Sequence, residues 1–89
     1  MAADLDRRQL AKILELHEGR RRKAYRDSVG ILTIGIGHNL ERPISNRAVD
    51  VIFEDDTEEA MQELDKVLPW WRGLSPTRQL VMVDMMFNL

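Results

Sequence analysis

Three apolar residues and a histidine recur at helical spacing near the N-terminus, at Leu10, Ile13, Leu14 and His17. Asp4 and Asp6 precede this pattern, and either side chain can accept hydrogen bonds from the first helical amides as an N-cap. Gly19 follows it, and glycine is common where helices end because it accepts a left-handed backbone conformation. The pattern predicts a first helix that ends at Gly19 and carries Glu18 on its last turn.

Residues 23–36 have the pattern of a β-hairpin. The segment 27–30 begins with Asp and ends with Gly, which is typical of a type I turn. The segment after the turn, residues 31–36, is rich in residues that favour strands. Gly35 and Gly37 interrupt it, and glycines there allow close approach of another backbone or of a ligand.

The longest apolar face belongs to a predicted second helix over residues 45–68. Ser45 is a favourable N-cap, and Pro69 closes the helix. Asp56 lies on or beside the apolar face, where an apolar residue is expected. The face extends over about six turns and consists of Val49, Ile52, Phe53, Ala60, Met61, Leu64, Val67 and Leu68.

A connector and a third helix follow. Trp70 and Trp71 lie in the connector, where they either pack in a core, which we favour, or stack on sugar rings. Ser75 and Pro76 suit the cap and the first position of a helix. This helix, predicted over residues 77–89, is apolar nearly all round, which is typical of a helix buried between other elements, but too little chain remains to surround it.

The composition is that of an ordinary globular chain, since 44% of its 89 residues are hydrophobic and 31% are charged. Cysteine is absent, which excludes a disulfide framework and a thiolate metal site. His17 and His38 are the only histidines and lack ligand spacing, so we expect no metal site. The N-terminus lacks the apolar stretch of a secretory signal peptide, and no segment is apolar enough to span a membrane. We therefore expect synthesis in the cytoplasm and no membrane partner.

Two carboxylates are candidates for acid–base chemistry. Glu18 ends a helix, where the negative end of the helix dipole favours the protonated carboxyl that a general acid needs, unless a neighbouring arginine folds back on it. Asp27 begins a polar turn near amide donors and should stay ionised. Two carboxyls in such different environments are the pattern of glycoside hydrolysis. A helix-ending Glu and a turn Asp are also common, so a purely structural interpretation stays open.

Three short motifs occur in order around these carboxylates: Glu18-Gly19, Tyr25-Arg26-Asp27 and Thr33-Ile34-Gly35-Ile36-Gly37-His38. Ile52-Phe53-Glu54-Asp55-Asp56 and Phe87-Asn88-Leu89 follow further along. Together they resemble the signature of phage-type lysozymes (glycoside hydrolase family 24), which has an EG, a Y-x-D, a T-x-G-x-G-H, an L-F-x-x-D helix and an F-N-x-G helix. The resemblance covers most of the chain, and the T-x-G-x-G-H block is fairly specific.

The resemblance implies an α+β, lysozyme-like fold with an N-terminal helix, a small antiparallel β-sheet, a long connecting helix and a helical second lobe. It implies a single domain over residues 1–89. Within it, residues 1–44 would form the catalytic lobe, residues 45–68 the long helix and residues 69–89 the start of the helical lobe.

The activity implied is hydrolysis of the β-1,4 link between N-acetylmuramic acid and N-acetylglucosamine in peptidoglycan, without a cofactor. Glu18 matches the general acid, Asp27 the second carboxylate, which assists an attacking water or stabilises the transition state, and Thr33 the residue that helps place that water. The family inverts configuration, so the two carboxyls should lie roughly 6.5–9.5 Å apart. The hairpin register read from the sequence leaves open whether Thr33 faces Asp27.

Four further residues match family positions. Gly37 and Asn39 lie where substrate contact is implied, although some relatives carry an apolar residue at the position of Asn39. His38 is either a polar residue at a strand end or, as we favour, the partner of Asp56 in a structural ion pair. Such a pair would hold the sheet against the long helix rather than take part in catalysis.

Local charge is uneven although the formal net charge is −2. Residues 20–23 form a basic run, which is interpreted as a charged strand face with a modest attraction to the anionic cell wall. A nucleic-acid site is the alternative, but no aromatic platform or known motif lies beside the run. We therefore expect no nucleic-acid partner. Residues 54–59 are acidic apart from Thr57, which is typical of a solvated helix face.

The family's second lobe continues past the position that matches Leu89, so the resemblance implies a chain truncated in that lobe. Residues 80–89 are then expected to self-associate or to pair with the missing lobe, because apolar surface is rarely left bare. The setting implied is a phage or prophage endolysin, made in the host cytoplasm and acting on the wall after release. The alternative function is a non-catalytic lysozyme-like fragment or a module that only binds wall glycan.

Overall fold

The computed structural model describes residues 4–89. The chain divides into two compact units, of which the first ends at Ile44 and the second spans Ser45–Leu89. The described residues contain three α-helices, one short 3₁₀ helix and a three-stranded antiparallel sheet. The predicted α+β class is therefore confirmed.

The first helix, α1, spans Arg7–Glu18 and has the predicted caps. Asp6 is the N-cap, and its Oδ1 accepts from the amides of Arg8 and Gln9 at 3.0 and 3.1 Å. Gly19 ends the helix at a φ of 78°, and its N–H donates to the Glu15 carbonyl at 2.8 Å. The helix thus stops where the sequence predicts, with Glu18 as its last residue.

The sheet has the strand order β1-β2-β3, with β1 at Arg21–Arg26, β2 at Leu32–Gly35 and β3 at His38–Asn39. Strands β1 and β2 form the predicted hairpin, and its turn is closed by the Gly30 N–H, which donates to the Asp27 carbonyl at 3.0 Å. The short strand β3 was not predicted. It returns the chain along β2, which makes β2 the central strand.

The second unit is helical. Helix α2 spans Asn46–Val67 with Ser45 as the N-cap, as predicted, and α3 spans Pro76–Phe87 with Ser75 as the N-cap. The 3₁₀ helix, Trp71–Gly73, lies between them. The buried apolar residues of this unit are Ala60, Leu64 and Trp71. Its small core thus lies where the 3₁₀ helix meets the C-terminal half of α2.

The third helix, α3, is not buried within the described residues. No residue of α3 is buried, and Leu80 and Met85 are 72% and 62% exposed. Among the described residues α3 packs against α2 and the 3₁₀ helix, which cover only part of its surface. The predicted core role of the two tryptophans is half right, because Trp71 is buried whereas Trp70 is exposed.

The side chain of Asp65 on α2 forms hydrogen bonds to two residues of the 3₁₀ helix. Asp65 accepts hydrogen bonds from the Trp71 indole N–H at 2.8 Å and from Arg72 Nε and Nη2 at 2.8 and 3.1 Å. The hydrogen bond from Arg72 lowers the pKa of Asp65 most, the bond from Trp71 lowers it further, and desolvation opposes both. The same pair raises the pKa of Arg72.

Replacing Asp65 with Asn should lower the Tm at neutral pH but have little effect in strong acid. A pKa lowered from its ordinary 3.8 means that the ionised group stabilises the folded chain above that pH. This contribution is lost as the pH falls through the lower, folded-state pKa. The difference in Tm should be small, since both side chains are about half exposed. Thermal melts from about pH 7 to about pH 2 measure it.

The matched control is Asp50→Asn, because Asp50 lies on the same helix and its side chain makes no hydrogen bond within residues 4–89. Its melting curve should follow that of the unchanged chain at every pH. If Asp65→Asn did so too, the cluster would contribute nothing to stability.

Candidate active site

Glu18 is placed by the end of α1 and by a glycine on the neighbouring hairpin. Its side chain is exposed, and within the described chain it makes no hydrogen bond. A Cβ atom built on Gly37 would lie 3.0 Å from Glu18 Oε2 and 3.1 Å from its Cδ. The structure therefore brings Glu18 and Gly37 together, and the carboxyl occupies space that any side chain at residue 37 would need.

Asp27 is oriented by the hairpin turn. Its Oδ1 accepts from the amide of Val29 at 3.0 Å and from the amide of Ile31 at 2.8 Å. Its own N–H donates to the Ile31 carbonyl at 2.9 Å, which continues the ladder between the strands. Oδ2 makes no hydrogen bond within residues 4–89. One carboxylate oxygen is thus held by the backbone, and the other can bind a water or a ligand.

Thr33 is the one buried polar residue among those described, at 4% exposure. Its Oγ1 donates to the Ile31 carbonyl at 2.8 Å. A carbonyl can only accept, so the threonine proton is committed to that bond and the hydroxyl oxygen is left as an acceptor. The Thr33 hydroxyl can therefore only accept a hydrogen bond from a ligand while this bond is kept.

The register answers the question that the sequence left open. Thr33 pairs with Tyr25, and Asp27 follows two residues after Tyr25, directly after the end of β1, where its N–H still donates to the Ile31 carbonyl. Side chains two apart on a strand share a face, as do directly opposed residues. Asp27 and Thr33 therefore lie on the same face of the hairpin, as diagonal neighbours.

The remaining predicted site residues have different surroundings. Asn39 pairs with Thr33 across β2 and β3, and its Oδ1 accepts from the Glu41 amide at 2.8 Å. That bond holds the side-chain oxygen within a turn. His38 pairs with Ile34 and is exposed. Asp56 is an exposed residue of α2, in the other unit. The ion pair between His38 and Asp56 stays a prediction.

Sequence reasoning missed the part played by Ile31. Its N–H holds the Asp27 carboxylate, and its carbonyl accepts from both the Asp27 N–H and the Thr33 hydroxyl. These are main-chain atoms, so no side-chain motif marks them. The bond from the Val29 amide had a signal, because an Asp commonly accepts from the amide two residues on.

Residues 4–89 contain no group of three or more His, Asp or Glu side chains placed to hold a metal ion. None of the helices formed by these residues combines the length and apolar character that crossing a bilayer requires.

A comparison with protein-family models matches phage lysozyme over residues 15–89, which is most of the chain. The chain belongs to the phage lysozyme family. The resemblance seen in the sequence motifs is thereby confirmed, and the three helices and the antiparallel sheet agree with a lysozyme-like fold. A search of curated proteins found no match.

Membership of the phage lysozyme family gives the general class of activity. The chain is a lysozyme-type cell-wall hydrolase. Enzymes of this type are glycoside hydrolases that act on bacterial peptidoglycan. The matched range includes Glu18, Asp27 and Thr33. Their individual roles depend on the chemistry that each position allows.

Proposed function

We propose that the chain hydrolyses the β-1,4 link between N-acetylmuramic acid and N-acetylglucosamine in peptidoglycan, with inversion at the anomeric carbon. The observation that carries the proposal is the pair of acceptors on one hairpin face, the free oxygen of Asp27 and the hydroxyl oxygen of Thr33. The setting we favour is a phage or prophage endolysin that acts on the wall after release from the host cytoplasm.

Glu18 is the general acid of the proposed reaction. Breaking the glycosidic C–O bond leaves negative charge on the departing sugar oxygen, and a carboxylic acid neutralises that charge by transferring its proton. The exposure of Glu18 at the end of α1 leaves its carboxyl open to a polysaccharide. The absence of a side chain on Gly37 leaves room for this carboxyl beside the hairpin.

The attacking water is bound by two acceptors. It donates one hydrogen bond to Asp27 Oδ2 and the other to Thr33 Oγ1, which turns its lone pairs toward the anomeric carbon. As the water oxygen bonds to that carbon, one of its protons passes to Asp27. The glycosidic bond breaks on the opposite side, and the leaving oxygen takes the proton of Glu18. Water attack opposite the leaving group inverts the configuration.

Product analysis tests the proposal directly. Purified peptidoglycan is incubated with the chain and reduced with borohydride, and the newly formed reducing ends are identified by mass spectrometry. Reduced N-acetylmuramic acid is the expected new end, and proton NMR of a parallel, unreduced digest should show the α-anomer at early times. Peptidoglycan incubated with an Asp27→Asn chain is the control for background cleavage.

Other products would contradict the proposal in distinguishable ways. Reduced N-acetylglucosamine would mean cleavage at the other glycosidic bond, and a 1,6-anhydro end would mean that no water attacks. An initial β-anomer would exclude inversion. A chain that sediments with insoluble peptidoglycan but releases no new end would support the alternative, a module that only binds wall glycan.

Replacing Thr33 with Val should lower the hydrolysis rate by about tenfold, which corresponds to one hydrogen bond of about 1.4 kcal/mol. Valine has nearly the same shape but cannot accept from the water. Stability should change little, because the Ile31 carbonyl keeps the hydrogen bond from the Asp27 N–H. Initial rates of peptidoglycan solubilisation and thermal melts measure the two effects.

Thr33→Ser is the matched control, because it keeps the hydroxyl. Its rate should stay closer to that of the unchanged chain than the rate of Thr33→Val does. Equal losses in both variants would assign the effect to packing of the threonine methyl group rather than to the water.

A further inference from the structure

Charge is divided unequally between the two units. Residues 1–44 contain nine of the thirteen Lys and Arg residues and six of the fifteen Asp and Glu residues, a formal charge of +3. Residues 45–89 contain the other four basic and nine acidic residues, a formal charge of −5. The positive potential of the chain is therefore concentrated in the unit that carries Glu18 and Asp27.

The basic residues project from a bulge in an edge strand. Arg21 pairs with Gly35 and Tyr25 pairs with Thr33, so three residues of β1 lie opposite Ile34 alone. Extra residues in one strand bend it away from its partner. Strand β1 is an edge of the sheet, and the three residues of the bulge, Arg22, Lys23 and Ala24, are exposed. Residues 20–25, which we call the basic bulge, line an open groove along this edge.

Some of the nearby cations already have partners. Arg20 forms an ion pair with Glu15, and the Arg21 guanidinium lies 4.6 Å from the centre of the Tyr25 ring. Arg22 and Lys23 have no ion-pair partner among residues 4–89. Two adjacent cations on a protruding, solvated strand can be offered to a ligand without breaking an ion pair.

We infer that the basic bulge binds a linear phosphodiester polymer of the bacterial envelope, of the poly(glycerol phosphate) type. Phosphate groups on a flexible chain can reach exposed Arg and Lys side chains. Arg binds phosphate through two parallel N–H groups, and Lys binds it through a single charged ammonium group. Nucleic acid, which has the same phosphodiester chemistry, fits less well. Its bases need an aromatic platform, and Tyr25 is half-buried and carries Arg21 over its ring.

The choice of an envelope polymer rests on the proposed function, since the substrate of that reaction lies in the same wall. Binding of the basic bulge to such a polymer would keep the chain near glycan strands and raise its effective concentration there. Attraction by phosphates also speeds the first encounter, more strongly at low salt than at high salt.

The test measures binding of the full chain to a short fluorescent poly(glycerol phosphate) by anisotropy, from about 50 mM to about 200 mM salt. The double variant Arg22→Gln/Lys23→Gln removes the two unpaired cations. Its control is Arg47→Gln/Arg78→Gln, which removes the same charge from exposed positions of the acidic unit. Poly(glycerol phosphate) has no link between sugars, so binding is measured independently of hydrolysis.

Arg22→Gln/Lys23→Gln should bind roughly tenfold more weakly, and its plot of log K against log salt should be shallower by about 1.4 for two lost phosphate contacts. The control pair should bind like the unchanged chain. Equal weakening in both would show a response to net charge and overturn the inference.

The source of the phosphate is tested in separate arms. A single-stranded DNA of equal charge and vesicles containing an anionic phospholipid replace the polymer. Weaker binding to both supports the inference, and DNA or vesicles that bind as tightly as the polymer overturn it. If hydrolysis fails while polymer binding follows the expected pattern, only the proposed function is rejected. If hydrolysis is found and the polymer does not bind, only this inference is rejected.

Discussion

Replacing Glu18 with Gln is expected to lower the rate of peptidoglycan hydrolysis by about 10² to 10⁴-fold, the usual contribution of a positioned general acid. Glutamine has nearly the same size and can still form hydrogen bonds, but it has no acidic proton for the leaving oxygen. Substrate binding should be largely kept, so the loss should fall on kcat rather than KM. Initial rates over a range of peptidoglycan concentrations separate the two.

The control for this substitution is Glu41→Gln. Glu41 is an exposed glutamate of the same unit, and its carboxylate makes no hydrogen bond within residues 4–89. It should retain full activity. Both variants should melt like the unchanged chain, because the Glu18 carboxyl likewise has no hydrogen bond to lose there. Equal rates for Glu18→Gln and Glu41→Gln would remove Glu18 from the chemistry.

The helices could be predicted because their signals are local. Asp6 caps α1 with bonds to the amides two and three residues on, and Gly19 ends it through its own backbone conformation. Ser45 caps α2 in the same way, by accepting from the Ala48 amide. Each signal acts within a few residues, so the sequence contains the cause as well as the pattern.

The bulge in β1 could not be predicted. Strand register is normally set by alternating apolar and polar residues, since a shift of one residue turns every side chain to the other face. Residues 21–26 are basic apart from Ala24 and Tyr25, so they give no such alternation. The spacing of Arg21 and Tyr25 against Gly35 and Thr33 is a property of the folded pair.

The candidate site was predicted in its residue types but not in its geometry. Turn chemistry indicates an oriented Asp27, and the family motif indicates Thr33. Their common face depends on the register, and the acceptor role of the threonine depends on the Ile31 carbonyl. The extent to which α3 is exposed could not be predicted for a related reason. The apolar composition of α3 indicates that this helix packs against other elements. How much of its surface is covered depends on the contacts that the folded chain makes.

Replacing Gly37 with Ala is expected to lower the hydrolysis rate by about 10²-fold, because small displacements of a catalytic group have effects of that size. The added Cβ would lie 3.0 Å from Glu18 Oε2 and 3.2 Å from its Cγ. The exposed glutamate side chain is the part that can move, so the carboxyl leaves its position. The backbone φ of +69° adds strain of about 1–2 kcal/mol to any such variant. Rates and thermal melts measure both.

Gly35→Ala separates the strain from the contact. Gly35 has a φ of +67°, but a Cβ there would meet no atom within 4 Å. It should lose similar stability and keep most of its activity. If the two variants lost equal activity, strain in the hairpin would explain the result and the contact with Glu18 would not.

A double variant then decides whether Gly37 acts through Glu18 or on the substrate, as the family resemblance also implies. When two residues act through one group, their effects are not additive. In a chain that already carries Glu18→Gln, Gly37→Ala should therefore lower the residual rate by much less than 10²-fold, because the displaced group no longer supplies a proton. A full further loss in that background would mean that the methyl group obstructs the sugar chain itself. Gly37 would then be a substrate-contacting residue rather than the residue that positions the acid.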